Sequence, residues 1–216
     1  MNTYKNSILK STESKLGNEI LLVSGGNVSR KAALIIGVIH GNEPQGKYLI
    51  EEYLKKKETV EDKYNSHLLF IPCLNPDGMS LNCRTNANGT DINRNFPTKN
   101  WELTEKNEFF GGERPASELE THFVMQIIDE YRPEIILTLH APYKIVNYDG
   151  PAEKISQKIS DIIRYPVEKN IGYPTPGSLG TYAGIEKQIS TVTLELDETC
   201  PIDELIKPVH EIFNIL

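Results

Sequence analysis

Short apolar runs along the chain predict a series of buried strands. Residues 33–39 form a run that is too short and too rich in β-branched side chains for a helix. The same type of pattern predicts strands over residues 19–23, 67–74, 134–139 and 189–196.

Stretches with apolar residues at helical spacing lie between several of these runs. They predict helices after Pro44 and over residues 117–131, 151–165 and 202–216. Ser117 and Glu120 have the spacing of a capping box, which predicts that the second of these helices begins there. The alternation of strand and helix predicts an α/β protein, an α/β/α sandwich with helices on both faces of a sheet.

Histidine and glutamate side chains follow where two predicted strands end. His40 comes directly after Ile39, Glu43 follows three residues later, and His140 comes directly after Leu139. In open α/β sheets, ligands bind in the crevice at the carboxyl ends of the strands. Two imidazoles and one carboxylate are a ligand set of catalytic zinc sites. The simpler alternative is a strand-end histidine beside a glutamate that caps a helix.

Two further polar features stand out against the apolar pattern. Glu195 lies between Leu194 and Leu196 in the last predicted strand, where a carboxylate needs a partner or a function. The segment 75–97 is rich in Asn, Asp and Gly and carries arginines, so it can form neither a core nor an ordinary tight turn. Long loops of this kind are often functional.

Length, charge and cysteine content limit the possible functions. The 216 residues suffice for one domain, and residues 1–216 are expected to form it. A net charge of −7 argues against nucleic acid or an anionic membrane as a partner. The three cysteines contain no Cys-x-x-Cys pair, so they indicate neither a disulfide framework nor a thiolate zinc site. Residues 1–18 lack the apolar core of a signal peptide, so a cytoplasmic protein is expected.

An ordered set of motifs runs through the chain. It consists of His40-x-x-Glu43, Asn75-Pro76-Asp77-Gly78, Arg84, Asn93-Arg94-Asn95-Phe96, His140 and Glu195. Between about residue 33 and about residue 198, this set resembles the zinc carboxypeptidase family, that of carboxypeptidases A and B. The resemblance implies a single zinc carboxypeptidase-like domain with a mixed, mostly parallel central sheet. It also implies one Zn²⁺ per chain.

The resemblance assigns catalytic roles to the matching positions. His40, Glu43 and His140 would bind zinc and leave a fourth position for water. Glu195 would act as the general base that takes a proton from this water. Arg84 would stabilise the oxyanion that develops on the scissile carbonyl.

Other positions would bind the substrate. The resemblance implies that Asn93 and Arg94 bind a free C-terminal carboxylate, which would make the enzyme an exopeptidase. It implies that Tyr173 closes over the substrate, with Tyr182 as the alternative residue for this role. Family members that cleave basic C-terminal residues carry an acidic group at the base of the pocket, and residues 177–180 contain none. A carboxypeptidase B-like preference is therefore not expected.

Within the family, the sequence is most similar to bacterial amidases that act on murein peptides. This similarity implies hydrolysis of the γ-D-glutamyl-diaminopimelate bond of murein tripeptide. One alternative is an N-acyl amino acid deacylase of the succinylglutamate desuccinylase or aspartoacylase type, which has a similar His-Gly-x-Glu motif. Others are a general metallocarboxypeptidase and an inactive module that binds carboxylate-ended peptides. The presence of Glu195 and all three candidate metal ligands argues against the last of these.

Overall fold

The computed structural model describes residues 8–24, 32–59, 67–169 and 171–216. These residues contain eight strands, which pair into one sheet. The strands are β1 (Ile8–Glu13), β2 (Glu19–Ser24), β3 (Ala33–Gly37), β4 (Leu68–Ile71), β5 (Ile135–His140), β6 (Ile145–Asp149), β7 (Val167–Glu168) and β8 (Ser190–Glu195).

The sheet is mixed, as the sequence resemblance implies. Its strand order is β1-β2-β4-β3-β5-β8-β6-β7. The strands β4, β3, β5 and β8 run parallel at its centre, and β6 pairs with β7 in parallel. The pairs β1-β2, β2-β4 and β6-β8 are antiparallel. The central parallel strands are those that the apolar runs predict, because parallel strands covered on both faces need continuous apolar sequence.

Helices cover the two faces of the sheet. They are α1 (Gln45–Thr59), α2 (Pro76–Leu81), α3 (Leu119–Tyr131), α4 (Glu153–Ile163) and α5 (Ile202–Ile215), with a 3₁₀ turn over Ile92–Arg94 and a π-helical segment over Gly180–Glu186. One core cluster joins α1, α4 and α5 to the sheet, and a second joins α3 to its other face. Strand β3 supplies Ile35 to the first cluster and Leu34 and Ile36 to the second. This alternation confirms the predicted sandwich.

Some elements differ from the sequence prediction. The structure contains three strands, β1, β6 and β7, and one helix, α2, that the sequence pattern does not predict. The capping box at Ser117 is wrong, because α3 begins after Glu118, which is its N-cap residue and makes no side-chain capping bond. The Ser117 hydroxyl instead donates to the Glu118 carboxylate and accepts a hydrogen bond from Asn95 Nδ2.

The parallel centre of the sheet positions the candidate site. Because β3, β5 and β8 run in the same direction, their carboxyl ends lie at one edge. His140 pairs directly with Glu195 in the register of β5 and β8, and Gly37 pairs with Leu139. The residues that follow Gly37 therefore lie at the same edge of the sheet as His140 and Glu195.

None of the helices in the described residues has the length and apolar character needed to cross a membrane.

Two glutamates at the start of α3 are both buried but differ in their hydrogen bonds. Burial opposes ionisation of Glu118, but hydrogen bonds from Ser117, Asn86 and Asn88 outweigh it and lower the pKa of this carboxyl group. Glu120 accepts one side-chain bond from Asn86 Nδ2 at 3.2 Å. Burial and repulsion by Glu118 raise the pKa of Glu120 to about 7. The two carboxyl groups should therefore affect stability in opposite directions.

We expect Glu120→Gln to increase the free energy of unfolding at pH 8, by about 2 kcal/mol. A raised pKa means that the folded state favours the protonated carboxyl group, so this group costs stability as pH rises from about 4.5 to about 7. The gain should therefore vanish near pH 4.5. Urea denaturation of both proteins at the two pH values measures it.

Glu118→Gln is the matched control for this experiment. Because its pKa is lowered, the ionised carboxylate stabilises the fold at pH 8, and the substitution should reduce the free energy of unfolding there. Equal effects of the two substitutions at pH 8 would contradict the assignment.

Candidate active site

A turn after β3 brings two candidate ligands together. Val38, which follows the strand, has φ of 53°, a conformation that is rare for a β-branched residue and often marks a functional site. The next residues form a short turn in which the Glu43 amide donates to the His40 carbonyl at 3.1 Å. Gly41 fits into this turn because a Cβ there would lie 2.0 Å from the Gly78 backbone.

His40, Glu43 and His140 form a compact group with the chemistry of a metal site. Potential ligand atoms of all three residues lie within 4.8 Å of one another. The Nδ1 atoms of His40 and His140 are 2.8 and 2.9 Å from the two carboxylate oxygens of Glu43, and 3.1 Å from each other. Two imidazole nitrogens and a carboxylate that converge in a buried position match the donor set of catalytic zinc.

Asp91 contacts the side of the His40 ring that faces away from the other two candidate ligands. Its Oδ1 atom lies 3.2 Å from His40 Nε2, which leaves Nδ1 as the ring nitrogen that faces the other candidate ligands. Carboxylates commonly orient metal-binding histidines in this way. Burial opposes ionisation of Asp91, but His40 and Arg84 hold the pKa of this carboxyl group well below its usual range. Asp91 is not part of the sequence prediction, although it lies two residues before Asn93.

Arg84 lies beside the candidate metal ligands. Its Nε atom donates to Asp91 Oδ2 at 2.9 Å, and one terminal nitrogen lies 3.8 Å from Glu43 Oε1. The guanidinium carbon also lies 5.0 Å from the ring centre of Phe109. The side chain is thus held on one side by a carboxylate and lines the cavity with the rest of its donors.

The Asn75-Pro76-Asp77-Gly78 motif supports the site rather than lining it. Asn75 Oδ1 caps α2 by accepting from the Gly78 amide at 2.9 Å. Asn75 Nδ2 donates to the carbonyl groups of Ile39 and Arg84, both at 3.3 Å. The motif therefore fixes the backbone next to His40 and the backbone of Arg84.

The four residues of the motif Asn93-Arg94-Asn95-Phe96 differ in their surroundings. Asn93 and Arg94 line the cavity, whereas Asn95 and Phe96 are fully buried in the structure behind it. Asn93 Oδ1 accepts a hydrogen bond from the Leu179 amide at 2.9 Å, which leaves its amide nitrogen for other partners. Burial lowers the pKa of Arg94, but its guanidinium remains charged at neutral pH.

Glu195 is buried at the carboxyl end of β8 and faces the same cavity. Its Oε2 atom has no hydrogen-bond partner among the described residues. Burial raises the pKa of Glu195, His140 opposes this shift, and Glu43 adds to it. A carboxylate with a raised pKa and a free oxygen is suited to accept a proton.

The three candidate metal ligands line one cavity of about 800 Å³ together with Arg84, Asn93, Arg94 and Glu195. Tyr173 lines it as well and is 41% exposed, whereas Tyr182 is 7% exposed and packs against Phe96 in the core. The structure therefore places Tyr173, and not Tyr182, at the cavity.

The wall of the cavity contains acids that the sequence prediction lacks, namely Glu102, Glu108, Asp149 and Glu198. Residues 177–180 contribute Ser178 and Gly180 to the wall, and neither is acidic. Asp149, at the end of β6, lines the cavity as well. Its only sequence signal is alternation with Asn147 along a short stretch that carries too few apolar residues to predict a strand.

Comparison with known sequences agrees with the donor set of the site. A family model described as zinc carboxypeptidase matches residues 6–161. Murein peptide amidase A of Escherichia coli strain K12 is 29% identical over 181 residues, which cover 78% of this chain and 73% of that protein. Murein peptide amidase A of Vibrio campbellii is 28% identical over 199 residues, which cover 85% of this chain and 77% of that protein.

Comparison with solved structures agrees with the fold. The crystal structure of murein-tripeptide amidase MpaA from Escherichia coli O157 superposes with a TM-score of 0.79 at 23% identity, and the match covers 100% of this chain and 95% of that one. Bovine thrombin-activatable fibrinolysis inhibitor superposes with a TM-score of 0.75 at 19% identity, covering 98% and 88%. At these identities the superpositions establish the fold alone.

We expect the purified protein to hold about one zinc ion per chain, and His140→Ala to lose most of it. Removing one imidazole leaves two protein ligands, too few for a stable site. Elemental analysis after dialysis at pH 7.5 measures the zinc content.

His122→Ala is the matched control, because His122 is exposed on α3 and should keep full zinc content when substituted. Full zinc occupancy in His140→Ala would refute the assignment of that ligand.

Proposed function

Because this chain belongs to the zinc carboxypeptidase family, we propose that it removes the C-terminal residue of murein peptides by hydrolysing the γ-D-glutamyl-diaminopimelate bond. The similarity to two proteins named murein peptide amidase A carries this proposal, since it extends over 78% and 85% of the chain. The buried His-Glu-His group supports the metal requirement. The cytoplasmic location expected from the sequence stays a prediction.

His40, Glu43 and His140 would hold the zinc ion. When bound, zinc supplies Lewis-acid activation of water and of the scissile carbonyl group. Asp91 would keep His40 in the required tautomer through its contact with Nε2. This leaves proton transfer and charge stabilisation to the remaining side chains.

Glu195 would carry out the proton transfers. Its side chain lines the cavity, where the carboxylate would take a proton from the attacking water and return it to the departing amine. Arg84, already oriented by Asp91, would donate hydrogen bonds to the oxygen of the scissile carbonyl as negative charge develops there.

Asn93 and Arg94 would recognise the end of the substrate. The Asn93 amide nitrogen and the Arg94 guanidinium can both donate to a free α-carboxylate, which would place the scissile bond next to Glu195. Tyr173, on the exposed side of the cavity, would cover the bound residue. Such an arrangement would select for the last residue of a chain.

A comparison of three substrates tests the proposal. We expect the zinc-loaded protein to cleave γ-D-glutamyl-diaminopimelate with a kcat/KM at least about tenfold above that of an α-linked dipeptide with the same C-terminal residue. Equal rates would leave a general metallocarboxypeptidase. Preference for an N-acyl amino acid over both would assign the protein to the deacylases.

The same assay tests recognition of the C-terminal carboxylate. Amidation of this group should lower kcat/KM by about a hundredfold, because it leaves a buried guanidinium without its anionic partner. Arg94→Ala should discriminate poorly between the two forms, whereas Arg114→Ala, at an exposed position, should behave like the unsubstituted protein.

Glu195→Gln should retain zinc and lower kcat by about a hundredfold or more. Glutamine preserves the shape of the side chain but cannot accept the proton from water. Steady-state kinetics with elemental analysis on the same sample separates loss of catalysis from loss of metal. The exposed Glu134→Gln serves as control, and near-normal turnover in Glu195→Gln would place the general base elsewhere.

A further inference from the structure

The ring of Phe109 covers the guanidinium group of Arg84. The guanidinium carbon lies 5.0 Å from the ring centre, within the distance at which an aromatic face attracts a cation. Both side chains line the cavity of the candidate active site. Because Phe109 is 43% exposed, its ring is not part of the core, and its contact with Arg84 is the interaction that connects it to the site.

Asp91 holds one edge of the Arg84 guanidinium, through the hydrogen bond from Nε to Asp91 Oδ2 at 2.9 Å. The distance of 3.8 Å between a terminal nitrogen of Arg84 and Glu43 Oε1 is too long for a hydrogen bond. A planar group that is held at one edge can still tilt about that bond. An aromatic ring against its face opposes the tilt, and the planar guanidinium is the cationic group that stacks best on such a ring.

Hydrogen bonds fix the turn that carries Phe109. Asn107 Oδ1 accepts a hydrogen bond from the Phe109 amide at 2.7 Å, and the Asn107 carbonyl accepts one from the Phe110 amide at 3.1 Å. The Phe110 carbonyl in turn accepts a hydrogen bond from the Asp91 amide at 2.8 Å. Asp91 therefore contacts Arg84 through its carboxylate and the turn of Phe109 through its backbone. The two groups that hold Arg84 are thus fixed relative to each other.

The residues after this turn anchor it further. Phe110 is buried, and the Gly111 carbonyl accepts a hydrogen bond from Asn95 Nδ2 at 2.8 Å. A Cβ atom at Gly111 would lie 2.5 Å from the Arg94 carbonyl oxygen, so a glycine allows the backbone of the loop to approach the backbone of Arg94 closely. Phe109 therefore extends from an anchored backbone even though its ring is exposed.

We propose that Phe109 is a positioning residue, which fixes the plane of the Arg84 guanidinium so that its terminal nitrogens stay directed at the oxygen of the scissile carbonyl group. This inference rests on the proposed function, which assigns charge stabilisation at that oxygen to Arg84. Donors that are oriented before the reaction stabilise the transition state without having to reorganise. The Arg84 side chain is 16% exposed, so its attraction to the ring is stronger than that of a fully exposed pair.

Substitutions that keep or remove the ring test this role, in the zinc-loaded protein with whichever of the three substrates it cleaves fastest. Phe109→Leu keeps an apolar side chain without the ring, and we expect kcat and kcat/KM to fall together by about threefold to thirtyfold. Phe109→Tyr retains the aromatic face and should stay within about twofold of the unsubstituted protein. Leu103→Ala, a control that changes an exposed apolar side chain in the same loop, should leave both constants unaltered.

A double-mutant cycle shows whether Phe109 acts through Arg84. Arg84→Ala removes the group that Phe109 orients, so adding Phe109→Leu to it should cause no further loss of kcat/KM. An equal loss in both backgrounds would overturn the inference, because Phe109 would then act on the substrate or on the loop. Unchanged turnover in Phe109→Leu, a change confined to KM, or an equal loss in Phe109→Tyr would overturn it as well.

A measurement without turnover separates this inference from the proposed function. In NMR spectra of the zinc-loaded protein, the ring current of Phe109 should shift the Arg84 Nε–H resonance upfield, and Arg84→Ala identifies this resonance by its loss. The upfield shift should disappear in Phe109→Leu and persist in Phe109→Tyr. If none of the three substrates is cleaved, the proposed function fails, and the shift still tests whether Phe109 holds Arg84. A resonance that Phe109→Leu leaves unchanged would refute the inference even if peptides are cleaved rapidly.

Discussion

The candidate site depends on the contacts that the buried carboxylate of Asp91 makes with three neighbouring residues. One oxygen lies 3.2 Å from His40 Nε2 and also accepts the Asn93 amide at 2.9 Å, while the other accepts Arg84 Nε at 2.9 Å. A single side chain therefore orients a candidate metal ligand, the arginine beside it and the 3₁₀ turn that carries Asn93 and Arg94. Burying one charge is tolerable here because three partners share it.

The sheet supplies the rigidity that this network needs. The central parallel strands are covered by apolar clusters on both faces, so their carboxyl ends form a fixed edge from which loops reach the cavity. Polar motif residues that do not line the cavity hold these loops, as Asn75 does for the backbone of Ile39 and Arg84.

Much of the fold was predictable because central parallel strands must be apolar throughout. Apolar runs therefore predict β3, β5 and β8, with ends that differ from the observed strands by a few residues. The sequence pattern does not predict β6, because only alternate residues of Ile145–Asp149 are buried and its polar positions line the cavity. The predicted capping box at the start of α3 is wrong because Ser117 hydrogen-bonds with Glu118 and Asn95 instead of capping the helix. Tertiary contacts override local capping signals in such cases.

The sequence by itself determined the family, the zinc requirement and the alternation of strands and helices, since motif order and apolar periodicity are properties of the chain. It also predicted which residues would meet at one edge, because strand direction follows from connectivity. Only the tertiary structure decided that Tyr173 lines the cavity while Tyr182 is packed in the core, and that Asp91 supports His40. It alone brought Asp149 and Gly180 together across 31 residues. The physical reason is that burial, counter-charges and cavity shape depend on residues distant in sequence, which no local pattern records.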